Sequence, residues 1–410
     1  MRIVVAGAGI VGVATAIWCR RAGHDVTLVD REGPAAGASH GNAGVLAAGG
    51  VIPVTVPGLA RRAPGMLIDA MSPLFLRWSY LPRLAPFLRR YLAHATEDHV
   101  RRYAAAMARL LGDAHAQHLD LSRGTGAERF VHPHDYAFGY ADAAARAADE
   151  WAWRMRAAHG VRFEEVAGDG YDDPFWRGRF GRVVVCRDHG RIADPGAYVA
   201  ALFDHARAEG VGFVRAEVRD VVLDGGRVTA LDTSAGAVGG DAVVLATGAW
   251  SARLARRMGA DLPAFETERG YHVELLEPSA YPRDSMMVAA GKFAVNAMEG
   301  RIRCAGVIEF GGLAAPASRR PLRMLRRRIA DLFPDLTWQG EREWLGHRPA
   351  PADSLPRIGA GRPGAWLAFG HGHVGLTGGP KTGRILAETI GGGGGEWADF
   401  DPRRRPGRDP

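Results

Sequence analysis

The chain begins with a short apolar, β-branched run at residues 2–6, and a glycine-rich turn follows it. Continuous apolar runs of this length are typical of strands buried on both faces of a parallel sheet. A helical pattern over residues 13–21 ends near Gly23, and a second apolar run occupies residues 25–30. The order strand, helix, strand predicts the first half of a βαβ unit, in which sequential strands lie parallel.

The pattern then changes twice. From about residue 53 to 181, aromatic and Arg-rich helical stretches dominate, the longest at 61–93 and 98–121. Later, alternating patterns at 268–276 and 292–309 predict an antiparallel sheet on which a substrate pocket can be built. The remaining predicted elements are helices at 196–209, 321–333 and 381–390 and strands at 211–214, 217–223, 227–234 and 241–246.

The composition narrows the class of protein. A length of 410 residues indicates two domains or an intertwined pair. The net charge of +7 comes from scattered Arg residues rather than a dense run, which argues against nucleic acid as a partner. The three cysteines form no CxxC pair, so a disulfide framework and a Cys-based zinc site are excluded, and no metal is expected. These features fit a cytoplasmic protein, and the chain contains no apolar run of about 18 residues that could span a membrane.

Three glycines after the first strand, Gly7, Gly9 and Gly12, match the spacing G-x-G-x-x-G. The first allows a tight turn, the second lets the backbone approach a pyrophosphate, and the third lets the helix pack close to the sheet. Asp30 ends the second strand, where a carboxylate can accept hydrogen bonds from ribose hydroxyls. The pattern therefore predicts a dinucleotide site at the N-terminus of the first helix.

Two later segments of the chain are predicted to belong to the nucleotide-binding domain. Because a flavin ring is held by segments that are distant in the sequence, this favours FAD over NAD. The first segment is the strand at 241–246 with Thr247-Gly248-Ala249-Trp250, and the second is the glycine-rich loop at 370–379. We expect a helix to start near Pro380, with its positive end directed at the loop. Backbone N–H groups there would stabilise the negative charge of a reduced flavin.

With both glycine loops placed, the chain resembles the D-amino-acid oxidase and dehydrogenase superfamily, and most of all the bacterial D-amino-acid dehydrogenase small-subunit-like flavoproteins. The resemblance runs from Arg2 to about Ile390. Its more specific motifs are Ser39-His40-Gly41-Asn42-Ala43-Gly44, Ala246-Thr247-Gly248-Ala249-Trp250-Ser251, Arg269-Gly270-Tyr271-His272, Gly346-His347-Arg348-Pro349 with Asp353 and Pro356, and the loop at 370–379.

This resemblance implies an α/β fold in which a Rossmann-like FAD domain of the glutathione-reductase type is interleaved with an α+β substrate domain that carries a mostly antiparallel sheet. We expect the FAD domain at 1–60, 191–255 and 345–392, the substrate domain at 61–190 and 256–344, and a disordered tail at 393–410.

The flavin site is expected to draw on both glycine loops and on the segments that the resemblance adds. Because His40 stands in a motif more like that of the non-covalent members, we predict a dissociable FAD. The residues predicted to bind it are Gly7, Gly9, Ile10, Val11, Gly12, Asp30, Arg31, Ser39, Asn42, Ala43, Gly44, Val218, Thr247, Gly248, Trp250, Gly372, His373, Gly375, Leu376 and Thr377.

The catalytic candidates follow from the reaction that the resemblance implies, which is hydride transfer from Cα of a small D-amino acid to flavin N5. The imino acid formed is then hydrolysed to a 2-oxo acid. Arg348 is the candidate for binding the substrate carboxylate, and Tyr271 could donate a hydrogen bond to the same group. His272 and His373 could accept or relay the ammonium proton.

One departure leaves the substrate open. Related glycine oxidases carry an Arg in the strand where this chain has Asn296-Ala297, and the nearest alternative cations are Lys292, Arg301 and Arg303. The alternatives are therefore a cyclic imino acid such as D-proline or hydroxyproline, an N-methyl amino acid such as sarcosine, and a flavin-binding assembly protein without catalysis.

The electron acceptor is expected to be a quinone or respiratory carrier. The apolar and Arg-containing stretch at 66–92 suggests two interpretations. It either covers the active site, which we favour, or makes a peripheral contact with the inner face of the cytoplasmic membrane.

Overall fold

The computed structural model describes residues 1–69, 71–393, 395 and 397–404. Its strands are β1 (Arg2–Ala6), β2 (Asp25–Asp30), β3 (Val45–Leu46), β4 (Leu74–Leu76), β5 (Val131–Tyr140), β6 (Phe163–Ala167), β7 (Arg182–Ile192), β8 (Gly212–Arg215), β9 (Val218–Asp224), β10 (Arg227–Thr233), β11 (Gly236–Gly239), β12 (Ala242–Leu245), β13 (Phe265–Leu276), β14 (Ser285–Val288), β15 (Phe293–Met298), β16 (Arg301–Phe310), β17 (Gly340–Pro351), β18 (Arg357–Ala360) and β19 (Ala365–Phe369).

The helices are α1 (Ile10–Arg21), α2 (Leu59–Ile68), α3 (Leu81–Ala93), α4 (Glu97–Leu111), α5 (Ala114–Ser122), α6 (Ala143–Ala148), α7 (Glu150–Ala158), α8 (Pro195–Ala208), α9 (Ala252–Arg257), α10 (Arg319–Leu332) and α11 (Gly375–Ile390). The helix predicted at 98–121 is therefore two helices that are interrupted at Gly112 and Asp113, and the stretch at 61–93 holds α2, β4 and α3.

A six-stranded sheet, in the order β18-β19-β12-β1-β2-β8, forms the nucleotide-binding half. Its strands are parallel apart from β18, which runs antiparallel to β19. Alternate residues of β1 pack on opposite sides: Ile3 and Val5 join the core that contains α1, whereas Val4 and Ala6 join the core beneath the small sheet β11-β10-β9. This two-sided burial explains why the first strand is a continuous apolar run.

A larger sheet, in the order β17-β13-β16-β15-β14-β5-β7-β3, forms the other half. Its pairs are antiparallel apart from β14 with β5 and the side strand β4 with β16, and it includes the antiparallel strands predicted at 268–276 and 292–309. Helix α10 packs its apolar face on one side of this sheet. The interleaved α/β architecture predicted from the sequence is thus confirmed.

The chain crosses between the sheets at points that differ from the predicted domain limits. Strand β17 belongs to the larger sheet over its whole length, so the limit predicted at residue 345 falls inside a strand. Strand β3 also pairs within the larger sheet. Residues from both sheets line one shared cavity.

The predicted disordered tail at 393–410 requires correction where the structure describes it. Residues Ala398–Phe400 form a short 3-10 helix, and the Phe400 ring is fully buried. Arg404 pairs with buried Asp353 at 3.1 Å. Asp399 also pairs with Arg109 at 3.5 Å, so a buried aromatic ring and two ion pairs hold the described part of this segment; residues 394, 396 and 405–410 lie outside the described residues. Among the helices that the structure describes, none is long and apolar enough to cross a membrane.

Candidate active site

A cavity of about 1260 Å³ is lined by both sheets and by helices α2 and α3. At one end are Gly7, Asp30 and Val218, and at the other are Glu268 and Arg348. A space of this size suits a dinucleotide with a small substrate beside it, because cofactor sites form where two structural units meet. The part of the 66–92 stretch that lines the cavity supports its interpretation as an active-site cover.

The first glycine loop closes the nucleotide end. Gly7 has a φ of +104°, and a Cβ there would lie 2.5 Å from the Ala246 carbonyl oxygen. A Cβ on Gly12 would lie 1.9 Å from the Gly7 carbonyl oxygen, so this glycine lets α1 pack against the turn. Gly9 precedes the first residue of α1, whose N-terminal N–H groups face the cavity end. This is the geometry that the fingerprint predicts for a pyrophosphate site.

Asp30 both lines this end and holds its loops. The Asp30 Oδ2 accepts a hydrogen bond from the Ala8 N–H at 2.9 Å, and Oδ1 accepts from the N–H groups of Glu32 and Gly33. The carboxylate is therefore fixed in one orientation before any ligand arrives. Its remaining lone pairs are available to ribose hydroxyls.

The Ser39–Gly44 segment is held in place from both halves. Ser39 Oγ accepts from the N–H of Ile10 at 3.0 Å, which ties the segment to the start of α1. Asn296 Nδ2 donates to the Ala43 carbonyl at 2.9 Å, and Arg303 donates to the carbonyls of His40 and Asn42. Asn296 and Arg303 are thus structural supports of the segment along which the flavin is expected to lie.

His272 supports the same segment, so its predicted role in proton transfer requires correction. Its Nδ1 is hydrogen-bonded to the Gly41 carbonyl at 3.0 Å, and its ring stacks on Trp344 with the ring centres 5.1 Å apart. The side chain is buried, and burial lowers its pKa to about 3. A neutral histidine that is fixed in this way acts as a strut between the sheet and the loop.

The second glycine loop leads directly into α11, which begins at Gly375 rather than near Pro380. Pro380 lies inside the helix and has no N–H for the carbonyl of Leu376. His118 Nε2 makes a hydrogen bond to that carbonyl at 3.0 Å instead. Because a buried histidine replaces the missing donor, the helix can start earlier, and Gly375, Leu376 and Thr377 in its first turn line the cavity.

Most of the residues predicted to bind FAD line the cavity. Gly12 and Gly44 do not: Gly12 packs against Gly7, and a Cβ on Gly44 would lie 2.6 Å from the Ile192 carbonyl oxygen. His40 also points elsewhere, towards Gly196. The predicted residues that do line it are Gly7, Gly9, Ile10, Val11, Asp30, Arg31, Ser39, Asn42, Ala43, Val218, Thr247, Gly248, Trp250, Gly372, His373, Gly375, Leu376 and Thr377.

Arg348 lines the opposite end of the cavity. Its Nη1 donates to the Val307 carbonyl at 3.0 Å. Val307 has a φ of +67° and lies where β16 bulges opposite β13, so the strained backbone turns a carbonyl towards the guanidinium. Gly270 provides the space, because a Cβ there would lie 2.3 Å from Arg348 Nη2. In the described part of the chain, no carboxylate forms an ion pair with Arg348, whereas the buried Arg269, Arg303 and Arg357 each have one.

Tyr271 has a different place from the one predicted. Its hydroxyl donates to Glu309 Oε2 at 2.5 Å and accepts from the Ser318 N–H at 3.0 Å. Its ring packs in the core under α10, although an edge of the residue reaches the cavity wall. Because successive residues of a strand point to opposite faces, Gly270 and Arg348 share one face and Tyr271 the other. The expected donation from Tyr271 to a substrate carboxylate is therefore corrected: its donor is already used by Glu309.

Three other sequence candidates can now be placed. Arg301 pairs with Glu274 and Asp194, and Arg303 pairs with Glu274, so both are structural. Lys292 lines the cavity. It also lies 3.9 Å from the Asp149 carboxylate at a solvent-exposed position.

His373 lines the cavity at the Arg348 end. The residue is exposed to the open cavity, and desolvation by the surrounding cavity walls together with the nearby Arg348 charge lowers its pKa to about 4. The imidazole is therefore neutral near pH 7, and its ring nitrogens can only share protons in hydrogen bonds there. His373 therefore lies in the cavity, as predicted, but it is a weak proton acceptor.

Two residues at this end, Glu268 and Tyr91, were missed by the sequence analysis. Glu268 is buried in the cavity wall and accepts a hydrogen bond from the Tyr91 hydroxyl at 2.8 Å. Burial raises the pKa of Glu268. The alternating pattern at 268–276 contained the relevant information, since an acidic residue at a predicted inward position is unusual.

The comparisons with known proteins identify the family of this chain. Residues 2–389 match the family model DAO, described as FAD dependent oxidoreductase. The chain is 39% identical to a D-amino-acid oxidase of Bradyrhizobium diazoefficiens, over 98% of both chains. It is 32% identical to a D-amino acid dehydrogenase of Sinorhizobium medicae, over 95% of this chain and 96% of that one. A solved glycine oxidase from Geobacillus kaustophilus, 21% identical, shares the fold with a TM-score of 0.72 and covers 99% of this chain and 100% of its own.

Proposed function

The chain belongs to the DAO family of FAD-dependent oxidoreductases, and we propose that it oxidises the C–N bond of a small D-amino acid. The observation that carries the proposal is Arg348, a cavity-lining guanidinium that has no carboxylate partner among the described residues. A planar guanidinium binds a carboxylate through two parallel hydrogen bonds, so a substrate carboxylate can supply the missing partner.

The residues present fit FAD. The N-terminal turn of α1, with Gly9, would hold the pyrophosphate, and Asp30 the ribose hydroxyls. The Ser39–Gly44 segment and the first turn of α11 would hold the flavin ring. When bound, FAD supplies the chemistry of accepting two electrons and a hydrogen from the substrate Cα. The dissociable, non-covalent state remains a prediction, which the direction of the His40 side chain supports.

The chain itself performs three tasks in this proposal. Arg348 binds the carboxylate and fixes the orientation of Cα, and a fixed orientation is worth several powers of ten in rate. The α3 side chains Leu84, Leu88 and Leu92 form an apolar wall that keeps water from the reacting carbon. The N–H groups at the start of α11 face the place where negative charge develops, which favours electron acceptance. The imino acid that leaves is hydrolysed by water to a 2-oxo acid and ammonia.

The handedness of the substrate and the electron acceptor belong to the proposal as well. Similar proteins are named both D-amino-acid oxidase and D-amino acid dehydrogenase, and these differ in whether oxygen receives the electrons. We favour a quinone or respiratory carrier as the acceptor. A cyclic imino acid or an N-methyl amino acid is the alternative substrate.

The test is anaerobic mixing of the purified yellow protein with matched D- and L-amino acids, prolines, sarcosine and glycine. Bleaching of the flavin absorbance by D-amino acids, and not by their L-forms, is the expected result. Bleaching by proline or sarcosine alone would replace the substrate class, and no bleaching at all would favour a non-catalytic flavoprotein. Reoxidation is then compared between dissolved oxygen, followed by peroxide formation, and a soluble quinone.

A further inference from the structure

Glu268 and Arg348 form the centre of the substrate end of the cavity. They lie directly opposite each other on the antiparallel strands β13 and β17, so their side chains leave the sheet on the same face. Both line the cavity. A carboxylate and a guanidinium therefore stand side by side in one wall.

The two charges act on each other without direct contact: the Arg348 charge lowers the pKa of Glu268 and the Glu268 charge raises that of Arg348, but no ion pair joins the two side chains. In the described part of the chain, neither group forms an ion pair, and the Arg348 Nη1 donates instead to the backbone at Val307. The Tyr91 hydroxyl, from α3, holds Glu268 by donating to Oε1. No donor among the described residues reaches Glu268 Oε2, although the side chain is only 4% exposed.

A buried carboxylate with an unused oxygen is costly, because burial removes the water that would solvate it. Natural proteins keep such a group where a ligand completes its interactions. Here the missing contacts are complementary: among the described residues, Glu268 has no cation and Arg348 no anion within ion-pair distance. One molecule that carries both charges on adjacent atoms would satisfy them together.

The geometry points to Glu268 as the group that receives the ammonium of the substrate and accepts a proton from it, while Arg348 binds the substrate carboxylate. This inference rests on the proposed function. Opposed residues on antiparallel strands have Cβ atoms about 4.5–5.5 Å apart, which is comparable to the span of the two charged groups of an α-amino acid with their hydrogen bonds. A single zwitterion therefore fits across the pair.

The step is a proton transfer without a change in oxidation state. One N–H bond of the –NH₃⁺ group breaks and an O–H bond forms on Glu268 Oε2, which leaves a neutral amine and a neutral carboxylic acid. The nitrogen lone pair that this frees is what allows the Cα–H bond to be broken as a C=N bond forms. The proton returns to solvent after the product leaves.

The other groups around Glu268 do not compete for this proton. Tyr91 and Tyr103 line the same small chamber, and burial raises the pKa of both hydroxyls. His371 and His373 also line it, and desolvation lowers the pKa of each to about 4. Near pH 7 both histidines are neutral, and among the described side chains Arg348 is the cation that acts on Glu268, whose pKa it lowers.

The decisive variant is Glu268→Gln, which keeps the size of the side chain and an oxygen that Tyr91 can still donate to. We expect kcat/KM at pH 7 to fall by about 10²–10⁴-fold, the range of a general base. The loss should shrink as pH rises towards the pKa of the free amine, because the variant can use a substrate that arrives already deprotonated. The native enzyme should lose activity only as pH falls through the pKa of Glu268.

Ligand binding gives a measurement that does not depend on turnover. Titrations followed by the flavin spectrum should show that Glu268→Gln retains or gains affinity for propionate, a carboxylate without an amine, since a nearby negative charge has been removed. Glu266→Gln is the matched control. Glu266 lies on the same strand and also accepts a hydrogen bond from a tyrosine, Tyr80, at 2.8 Å, but it does not line the cavity, so this variant should leave the pH profile unchanged.

A second variant, Tyr91→Phe, keeps the proposal testable if the first does not fold. Hydrogen bonding from Tyr91 stabilises the ionised carboxylate, so its removal raises the pKa of Glu268 and should move the acidic limb of kcat/KM to higher pH. An unchanged limb in this variant, or an unchanged profile in Glu268→Gln, overturns the inference. So does a loss confined to substrates with basic side chains, which would make Glu268 a side-chain receptor. If native enzyme is bleached by no amino acid, the proposed function fails first.

Discussion

The two ends of the cavity are built by different means. The nucleotide end is formed mainly by contiguous backbone: glycines allow close approach, and the N-terminus of α1 presents N–H groups. At the substrate end, single side chains from separate strands and helices meet, as Glu268, Arg348 and Tyr91 do. The first end depends on local chain geometry and the second on long-range register.

This difference predicts how each end fails. No other residue can replace a glycine whose backbone conformation or close contacts exclude a Cβ. Changes at the nucleotide end should therefore abolish cofactor binding or prevent folding. Side chains at the substrate end can be exchanged one at a time within an intact sheet. The cofactor should then remain bound while binding of substrate or the rate of chemistry changes.

The largest effect is expected for Gly12→Val. Its Cβ would lie within 1.9 Å of the Gly7 carbonyl oxygen, and neither backbone segment can move without breaking the turn. We expect no bound flavin and little folded protein, as measured by the ratio of flavin to protein absorbance and by thermal unfolding. Gly65→Ala, a helical glycine whose Cβ would meet no atom within 4 Å, is the control and should behave as the native chain. A yellow, stable Gly12→Val protein would break the comparison at its nucleotide end.

Next in size is Arg348→Met, which keeps the length of the side chain and removes the charge. Loss of one partner from a buried, hydrogen-bonded charge pair costs about 2–5 kcal/mol, so kcat/KM should fall by roughly 30- to 5000-fold. Flavin content should not change. Arg348→Lys serves as the comparison: it retains the charge without the planar fork and should recover only part of the loss. Stopped-flow reduction at several substrate concentrations measures the effect, and native kinetics in the Met variant would reject the carboxylate role.

A smaller effect is expected for Asn296→Ala, which lies between the two ends. The buried Asn296 side chain donates to the Ala43 carbonyl and accepts from Ser285 Oγ at 2.7 Å. Its removal leaves both groups without these partners and should weaken FAD binding by about tenfold, equivalent to ~1.4 kcal/mol. Ultrafiltration at graded FAD concentrations measures the dissociation constant. If substrate affinity fell while FAD affinity stayed the same, Asn296 would belong to the substrate site instead.

The same contrast explains what the sequence could and could not predict. Gly7, Gly9 and Gly12 form a short motif whose geometry is local, so the turn, the helix and the ligand were all predictable. Which face of β13 points into the cavity was not predictable from the sequence. A shift of one residue in the inferred inward face replaces Tyr271 by Gly270 and Glu268. Tyr271 and His272 were chosen because they are polar and adjacent to the motif glycine, whereas the pairing of β13 with β17 and β16 decides which of them the substrate can reach.

Two other differences have the same origin. The tail at 393–410 was predicted to be disordered from its glycines and prolines, but Phe400 is buried by a surface that is assembled from distant segments. The early start of α11 depends on His118, which is remote in sequence from Leu376. Composition and local propensity carry no information about such partners.

The smallest effect should come from Tyr271→Phe, and it separates the two ways of interpreting β13. Because the Tyr271 hydroxyl is bonded to Glu309 and Ser318, its loss should lower the free energy of unfolding by about 1–2 kcal/mol. Turnover should stay within about twofold of native, since the buried Arg269–Glu309 pair remains on the α10 face of the sheet. Denaturant unfolding and steady-state kinetics on one preparation measure both effects. A fall in kcat/KM without a loss of stability would return Tyr271 to the substrate side, and it would mean that the register of β13, not its side chains, had been misjudged.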